Sequence, residues 1–230
     1  DAEVLLEENS THHLTTVLRL KTGAAIVLFN GTGGEYHAIL GQATGKQARV
    51  LITGFTETNR ESPLYISLGI GLSRGDRMDW VIQKATEVGI AEITPLFTAR
   101  SEVRLKGDRA DKKIQHWRKI AINACEQCYR NIPPIINAPI SPDLWSQSLS
   151  TDQNFVLHHR SNQTVGELRT QSINCVGLLV GPEGGLTDSE ITSSLQSGFQ
   201  ALTIGPRILR TETAPIVAIT LLQSLWGDFI

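Results

Sequence analysis

The chain has 230 residues, 40% of them hydrophobic and 19% charged, with a formal net charge of −2. This is an ordinary globular balance, enough for one large domain or two small ones, and it argues against disorder. No apolar run is long enough to span a membrane, the acidic opening Asp1-Ala2-Glu3 does not read as a secretory leader, and three cysteines cannot build a disulfide framework.

The first sixty residues read as β. Ala24 to Phe29 is an apolar strand, Asn30-Gly31-Thr32-Gly33-Gly34 is a turn that calls for positive φ, and Glu35 to Leu40 returns as an alternating strand. Ala48 to Thr53 is another strand. The polar stretch from Thr56 to Pro63 marks a domain boundary, which gives domains of 1–61 and 62–230.

After the boundary, strands alternate with helices, a texture that implies a mainly parallel sheet. Leu64 to Leu72 is a buried strand. Asp76 to Val88 has helical spacing through Met78, Val81, Ile82 and Ala85 and stops at Gly89. Glu92 to Phe97 is a strand, and Asp108 to Arg130 is a long helix ending before Pro133-Pro134. Phe155 to His158 and Val176 to Val180 are short strands. Thr187-Asp188-Ser189-Glu190 is a capping box opening a helix to about Ser197. Leu202 to Gly205 is one more strand, and Thr213 can cap a last helix through Leu225.

Cys125 and Cys128 have C-x-x-C spacing, but no second pair completes a metal tetrahedron and the pair falls late in a helical run, so core packing is expected and no metal. Charge is unevenly spread. Residues 66–135 hold twelve Lys/Arg against eight Asp/Glu, while residues 136–230 hold four against eight. The basic stretch, including Arg100, Arg104, Arg109 and Lys112, is either a solvated helix face or a track for RNA phosphates.

Ligands of parallel sheets bind beyond the carboxyl ends of strands. Two such ends are unusual: Leu178 through Gly181-Pro182-Glu183-Gly184-Gly185-Leu186, and Ile204 through Gly205-Pro206-Arg207-Ile208-Leu209-Arg210-Thr211-Glu212-Thr213-Ala214. Glycines let backbone groups approach a ligand closely. Neither loop carries a P-loop lysine or the G-x-G-x-x-G spacing, and Glu183 and Glu212 would repel a triphosphate. A nucleoside with a cationic centre, such as S-adenosylmethionine, fits better, and a pair of tight structural turns is the plainer alternative.

With these motifs in hand, the chain resembles the RsmE family of 16S rRNA uridine-N3 methyltransferases in the SPOUT (trefoil-knot) superfamily. The resemblance is carried by Ser73-Arg74-Gly75-Asp76-Arg77-Met78, Gln83 to Gly89, Ile93 to Leu96, Ala124-Cys125-Glu126-Gln127 with Arg130, and the two strand-end loops. His13 followed by Val17-Leu18-Arg19 also fits. It implies a knotted α/β catalytic domain behind a small PUA-like β-barrel that binds RNA, and a cytoplasmic homodimer acting on 16S rRNA of the small ribosomal subunit. The cofactor implied is S-adenosylmethionine, with S-adenosylhomocysteine as product. Family members usually carry a short basic segment ahead of the position of Asp1.

The residues expected at the cofactor are His158, Gly181, Pro182, Glu183, Gly184, Leu186, Ile204, Gly205, Leu209, Thr211, Thr213 and Ala214. Gly184→Val is expected to block the pocket. Arg210 is the candidate to stabilise a uracil anion, with a phosphate clamp or a salt bridge to Glu212 as its alternatives. Glu212 either accepts a proton or orders the loop and caps the last helix, and the structural role is favoured. His13, Arg19, Arg74 and Arg130 are candidates for RNA contact. A non-catalytic RNA-binding module and a related methyltransferase with another RNA target are the rival readings.

Overall fold

A computed structural model describes residues 2–44, 46–159, 161, 165–168 and 172–229. The chain forms two compact units, Asp1–Arg60 with Arg130–Ile132, and Glu61–Tyr129 with Pro133–Ile230.

The first unit holds β1 (Ala2–Leu6), α1 (Glu8–His12), β2 (Ala25–Leu28), β3 (Glu35–Thr44) and β4 (Gln47–Thr56), with a π-helical turn over His13–Val17. Its sheet runs β1-β4-β3-β2 with every pairing antiparallel. The β2–β3 connection places Gly31, Gly33 and Gly34 at φ of 83°, 98° and 73°, the left-handed region that glycine enters without a Cβ clash. The core is small: Ala38, Leu40, Ala48 and Val50, backed by Leu14, Leu20 and Ile26. Buried Thr11 ties α1 to the sheet by accepting the Ala48 N–H at 3.0 Å. Neither β1 nor α1 has a strong sequence signal, because β1 is mostly exposed and α1 spans little more than one turn.

The second unit contains β5 (Tyr65–Gly71), α2 (Arg77–Glu87), β6 (Glu92–Leu96), α3 (Asp108–Cys128), β7 (Ile135–Ile136), α4 (Pro142–Ser148), β8 (Gln153–Leu157), β9 (Cys175–Val180), α5 (Asp188–Gln196), β10 (Gln200–Leu202) and α6 (Thr213–Trp226). The sheet order is β10-β8-β9-β5-β6-β7, and all five pairings are parallel. Strand alternation sorts its residues onto two faces. Ile66, Leu68, Ile70, Val176, Leu178 and Val180 pack with Met78, Ile82, Trp117 and Leu222 from α2, α3 and α6. The opposite face carries Ser67, Gly69 and Gly177, small residues that make room for the Trp145 indole of α4 and the Leu149 and Asn154 side chains.

Local chemistry sets most helix ends. Gly89, at φ 84°, follows α2, and Tyr129 closes α3 in the left-handed region at φ 63°. The Thr187–Glu190 capping box forms in full. The last helix differs from expectation. Glu212, not Thr213, is at its N-cap position, and Thr213 is the first helical residue. The Arg210 carbonyl already accepts the N–H groups of Thr213 and Ala214 at 2.9 Å each, so the turn is helical before a side-chain cap can act. Strand β10 spans Gln200–Leu202, so it begins and stops earlier than expected, and Gly205 beyond it takes φ 140°.

Part of the basic stretch is committed within the fold. Asp79 of α2 accepts bonds from Lys113 at 2.9 Å, His116 at 2.7 Å and Trp117 at 2.9 Å, all on α3. Burial opposes ionisation of Asp79, but these donors outweigh it and hold the carboxyl below the usual range. Cys125 is buried in the core, and none of the three cysteines is in a disulfide. Among the described residues, no helix is long and apolar enough to cross a membrane.

The Trp145 contact is testable. A Cβ at Gly69 would stand 2.7 Å from the indole ring. Gly69→Ala should therefore destabilise the chain by about 1–3 kcal/mol, read from urea unfolding at constant m-value. A neutral effect would mean the indole moves aside at no cost.

Candidate active site

Because the six strands are parallel, their carboxyl ends share one edge, and two adjoining cavities lie there. The smaller, about 430 Å³, is built from the ends of β8, β9 and β10 and the loops that follow. It is of the size that takes a small ligand. The larger, about 1240 Å³, is lined by residues following β5 and β6 and by the start of α6. Arg100, Glu183 and Gly184 line both.

The two glycine-bearing turns meet at the smaller cavity. Of the expected cofactor residues, His158, Gly181, Pro182, Glu183, Gly184, Leu186, Ile204, Gly205, Leu209, Thr211 and Ala214 all line it. Thr213 lines the larger cavity instead. A Cβ at Gly181 would stand 2.8 Å from the Leu186 nitrogen and 3.0 Å from the Gly185 carbonyl carbon, so the turn closes only because position 181 has no side chain. Gly184 has a different neighbour. There a Cβ would lie 3.1 Å from Arg100 Cβ, so bulk at 184 would press first on Arg100.

Arg100 has no place among the expected site residues. Its Nη1 donates to the carbonyl oxygens of Gly184 at 2.8 Å and Leu186 at 3.2 Å, bracing the turn from the side. The signal that could have located it is its position just past the carboxyl end of β6. Arg77, Trp80 and Arg207 also line the cavities and were not singled out for the site.

Glu183 is exposed but engaged. Its Oε1 accepts the Arg74 N–H at 3.0 Å and the Arg77 guanidinium at 2.5 Å. Burial works against its ionisation, yet hydrogen bonds from its own and the Arg74 backbone N–H and from Arg77 outweigh that and depress its pKa. Arg77 Nε also stands 3.8 Å from Glu212 Oε2. Glu212 makes no side-chain cap bond to α6.

The other expected residues fall outside the pair of cavities, Arg74 excepted. Arg74 lines the larger one, and its Nε pairs with Glu102 at 2.5 Å. Arg210 is exposed and lines neither cavity. Within the first unit, His13 and Arg19 are exposed and flank the π-helical turn, and Arg19 takes a left-handed φ of 53°. Arg130, also in that unit, is only 6% exposed, which favours a structural role over contact with RNA.

Comparison with known proteins agrees with this geometry. A family model described as an RNA methyltransferase domain matches residues 60–223, and one described as an RNA methyltransferase PUA domain matches residues 6–53. The fold is therefore that of an α/β RNA methyltransferase with a PUA domain ahead of it in the chain. A protein from Legionella pneumophila, solved with bound cofactor SAM, superposes at a TM-score of 0.95 with 39% identity, over 99% of this chain and 93% of that one. Ribosomal RNA small subunit methyltransferase E from Neisseria gonorrhoeae, bound to S-adenosyl methionine, superposes at 0.92 with 38% identity, over 100% and 94%. The protein of the same name from Buchnera aphidicola of Acyrthosiphon pisum is 37% identical over 97% of this chain and 88% of its own length. The chain belongs to the ribosomal RNA small subunit methyltransferase E family.

The Glu183 tie gives a pH signature. A carboxyl with a depressed folded pKa adds stability above its unfolded value, near 4.3 by the usual range, and loses it as pH falls through the folded pKa. Glu183→Gln should lower the melting midpoint at pH 7, and the gap from the parent should close below about pH 4. A gap constant over that range would show that the charge contributes nothing.

Proposed function

We propose that the chain methylates N3 of a uridine in the 16S rRNA of the small ribosomal subunit, using S-adenosylmethionine bound in the smaller cavity. As a member of its family it is an RNA methyltransferase. The base position is the further step, and it rests on the motifs shared with uridine-N3 enzymes. One observation carries the cofactor assignment: two separate glycine turns, 181–186 and 204–214, close on one cavity of about 430 Å³.

The cavity fits a nucleoside sulfonium. Val180, Leu186, Ile204, Leu209 and Ala214 offer apolar walls, and neither turn carries a lysine to bind phosphate. When bound, S-adenosylmethionine supplies an electrophilic methyl group on a cationic sulfur. Backbone groups of Gly181, Gly184 and Gly205 would hold the adenosine, while His158, Pro182 and Thr211 shape the wall. The protein's main contribution is to hold the nucleophile in line with that methyl group.

Residues 62–230 form the catalytic domain in this reading, and residues 1–61 supply RNA contact through His13 and Arg19. Arg74 contributes from the rim of the larger cavity. The exposed position of Arg210, outside both cavities, favours the phosphate clamp among its expected roles. A homodimer working in the cytoplasm completes the proposal, and sedimentation of the purified chain tests the dimer.

Nuclease digestion and mass spectrometry of small-subunit rRNA should find a 3-methyluridine that is lost with the gene and restored by the purified chain. Loss of any other methylated nucleoside would sink the N3 assignment. Arg210→Gln should weaken RNA binding and reduce the salt slope by about one, leaving cofactor affinity intact. An unchanged slope would remove the clamp.

A further inference from the structure

Three arginines line the larger cavity, and their charges are not equally available. Arg74 Nε is paired with Glu102 at 2.5 Å, and Arg77 is held between Glu183 and Glu212. Arg100 is different. The recorded partners of its Nη1 are two carbonyl oxygens, those of Gly184 and Leu186, which carry a dipole but no net charge. Among the described residues, no ion pair of Arg100 is recorded within 4.0 Å. Of the three, Arg100 is therefore the one whose charge no paired carboxylate offsets. It also lies on the wall shared by the two cavities.

We infer that Arg100 is the catalytic guanidinium that stabilises the ionised target base, an inference that rests on the uridine-N3 reading. N3 of uracil is nucleophilic only after its proton has passed to solvent, and the negative charge then spreads over N3 and the two flanking carbonyl oxygens. A planar guanidinium offers parallel donors to such an edge and stays charged throughout. A base must reach the cofactor cavity to accept a methyl group, and Arg100 stands where the cavities adjoin.

The surrounding charges permit an anion there. The carboxylates of Glu102, Glu183 and Glu212 are each taken up by Arg74 or Arg77. Asp76 and Asp188 sit at the amino ends of α2 and α5, where the helix dipole offsets their charge. Glu190 is engaged by the N–H groups of Ala99 and Thr187. Arg207 adds a positive charge at the smaller cavity. Trp80, 41% exposed in the larger cavity, offers a face on which an extruded base can stack.

The test reads the base without turnover. An rRNA fragment carrying 5-fluorouridine at the uridine that the wild-type chain methylates is bound to the full chain, and its N3 ionisation is followed by fluorine NMR across pH. The wild-type protein should raise the ionised fraction by about tenfold or more at a given pH. Arg100→Gln should abolish that shift with S-adenosylhomocysteine held at saturation, so that any loss of cofactor affinity from the loosened turn does not enter the reading. Arg100→Lys should keep the charge and restore part of the shift. An undiminished shift in Arg100→Gln overturns the inference. So does a shift in Arg100→Lys no larger than in Arg100→Gln at saturating cofactor, since the positive charge would then contribute nothing and Arg100 would serve only to brace the turn. If the wild-type chain methylates no rRNA uridine at N3, the broader reading fails first, and the two failures are told apart.

Discussion

Six strands that all run the same way leave their carboxyl ends along one edge of the sheet, and the two adjoining cavities of the candidate site follow from that. Each strand must be followed by a crossover, so each carboxyl end opens into a loop whose backbone groups are not used by the sheet. The ends of β8, β9 and β10 converge on one cavity, and those of β5 and β6 on its neighbour. An antiparallel edge would have scattered the same loops to both ends of the sheet.

Close approach of β5 to the turn after β9 joins the two cavities. A Cβ at Gly71 would come within 2.5 Å of Pro182 Cδ and 2.6 Å of its nitrogen, so glycine at the end of β5 is what lets the turn lie flat against it. That contact brings Glu183 within reach of the Arg74 N–H and the Arg77 side chain. The glycines further back on the same face, Gly69 and Gly177, serve packing against Trp145 of α4 and against Leu149 and Asn154. Glycine on this face thus has two uses, and only its position separates them.

Much of this was legible in the sequence because period and punctuation agree there. Alternating apolar strands, the Thr187 capping box and the glycine stop at Gly89 each have a local cause, and each forms as written. The two glycine turns could be placed at strand ends from the sequence, and they line one cavity there. What was hidden depends on distant contacts. Arg100 reads as one cation in a basic stretch, and only the fold puts its guanidinium on carbonyl oxygens more than eighty positions away. Thr213 reads as a cap, but the Arg210 carbonyl had already closed the turn. Arg130 reads as a surface cation and is buried.

Charge shows the same dependence on pairing. A formal charge of −2 says little about affinity for RNA, because binding scales with the number of phosphates neutralised rather than with net charge. The basic stretch illustrates this. Lys113 and His116 are bound to Asp79 and Arg118 donates to the Ile136 carbonyl, so these three already serve the fold. Arg104, Lys106, Arg109, Lys112 and Lys119 are exposed along α3 and the loop before it. Net charge therefore says less than pairing: Glu102, Glu183 and Glu212 are matched by Arg74 or Arg77, while these five cations of the basic stretch have no carboxylate within ion-pair distance among the described residues.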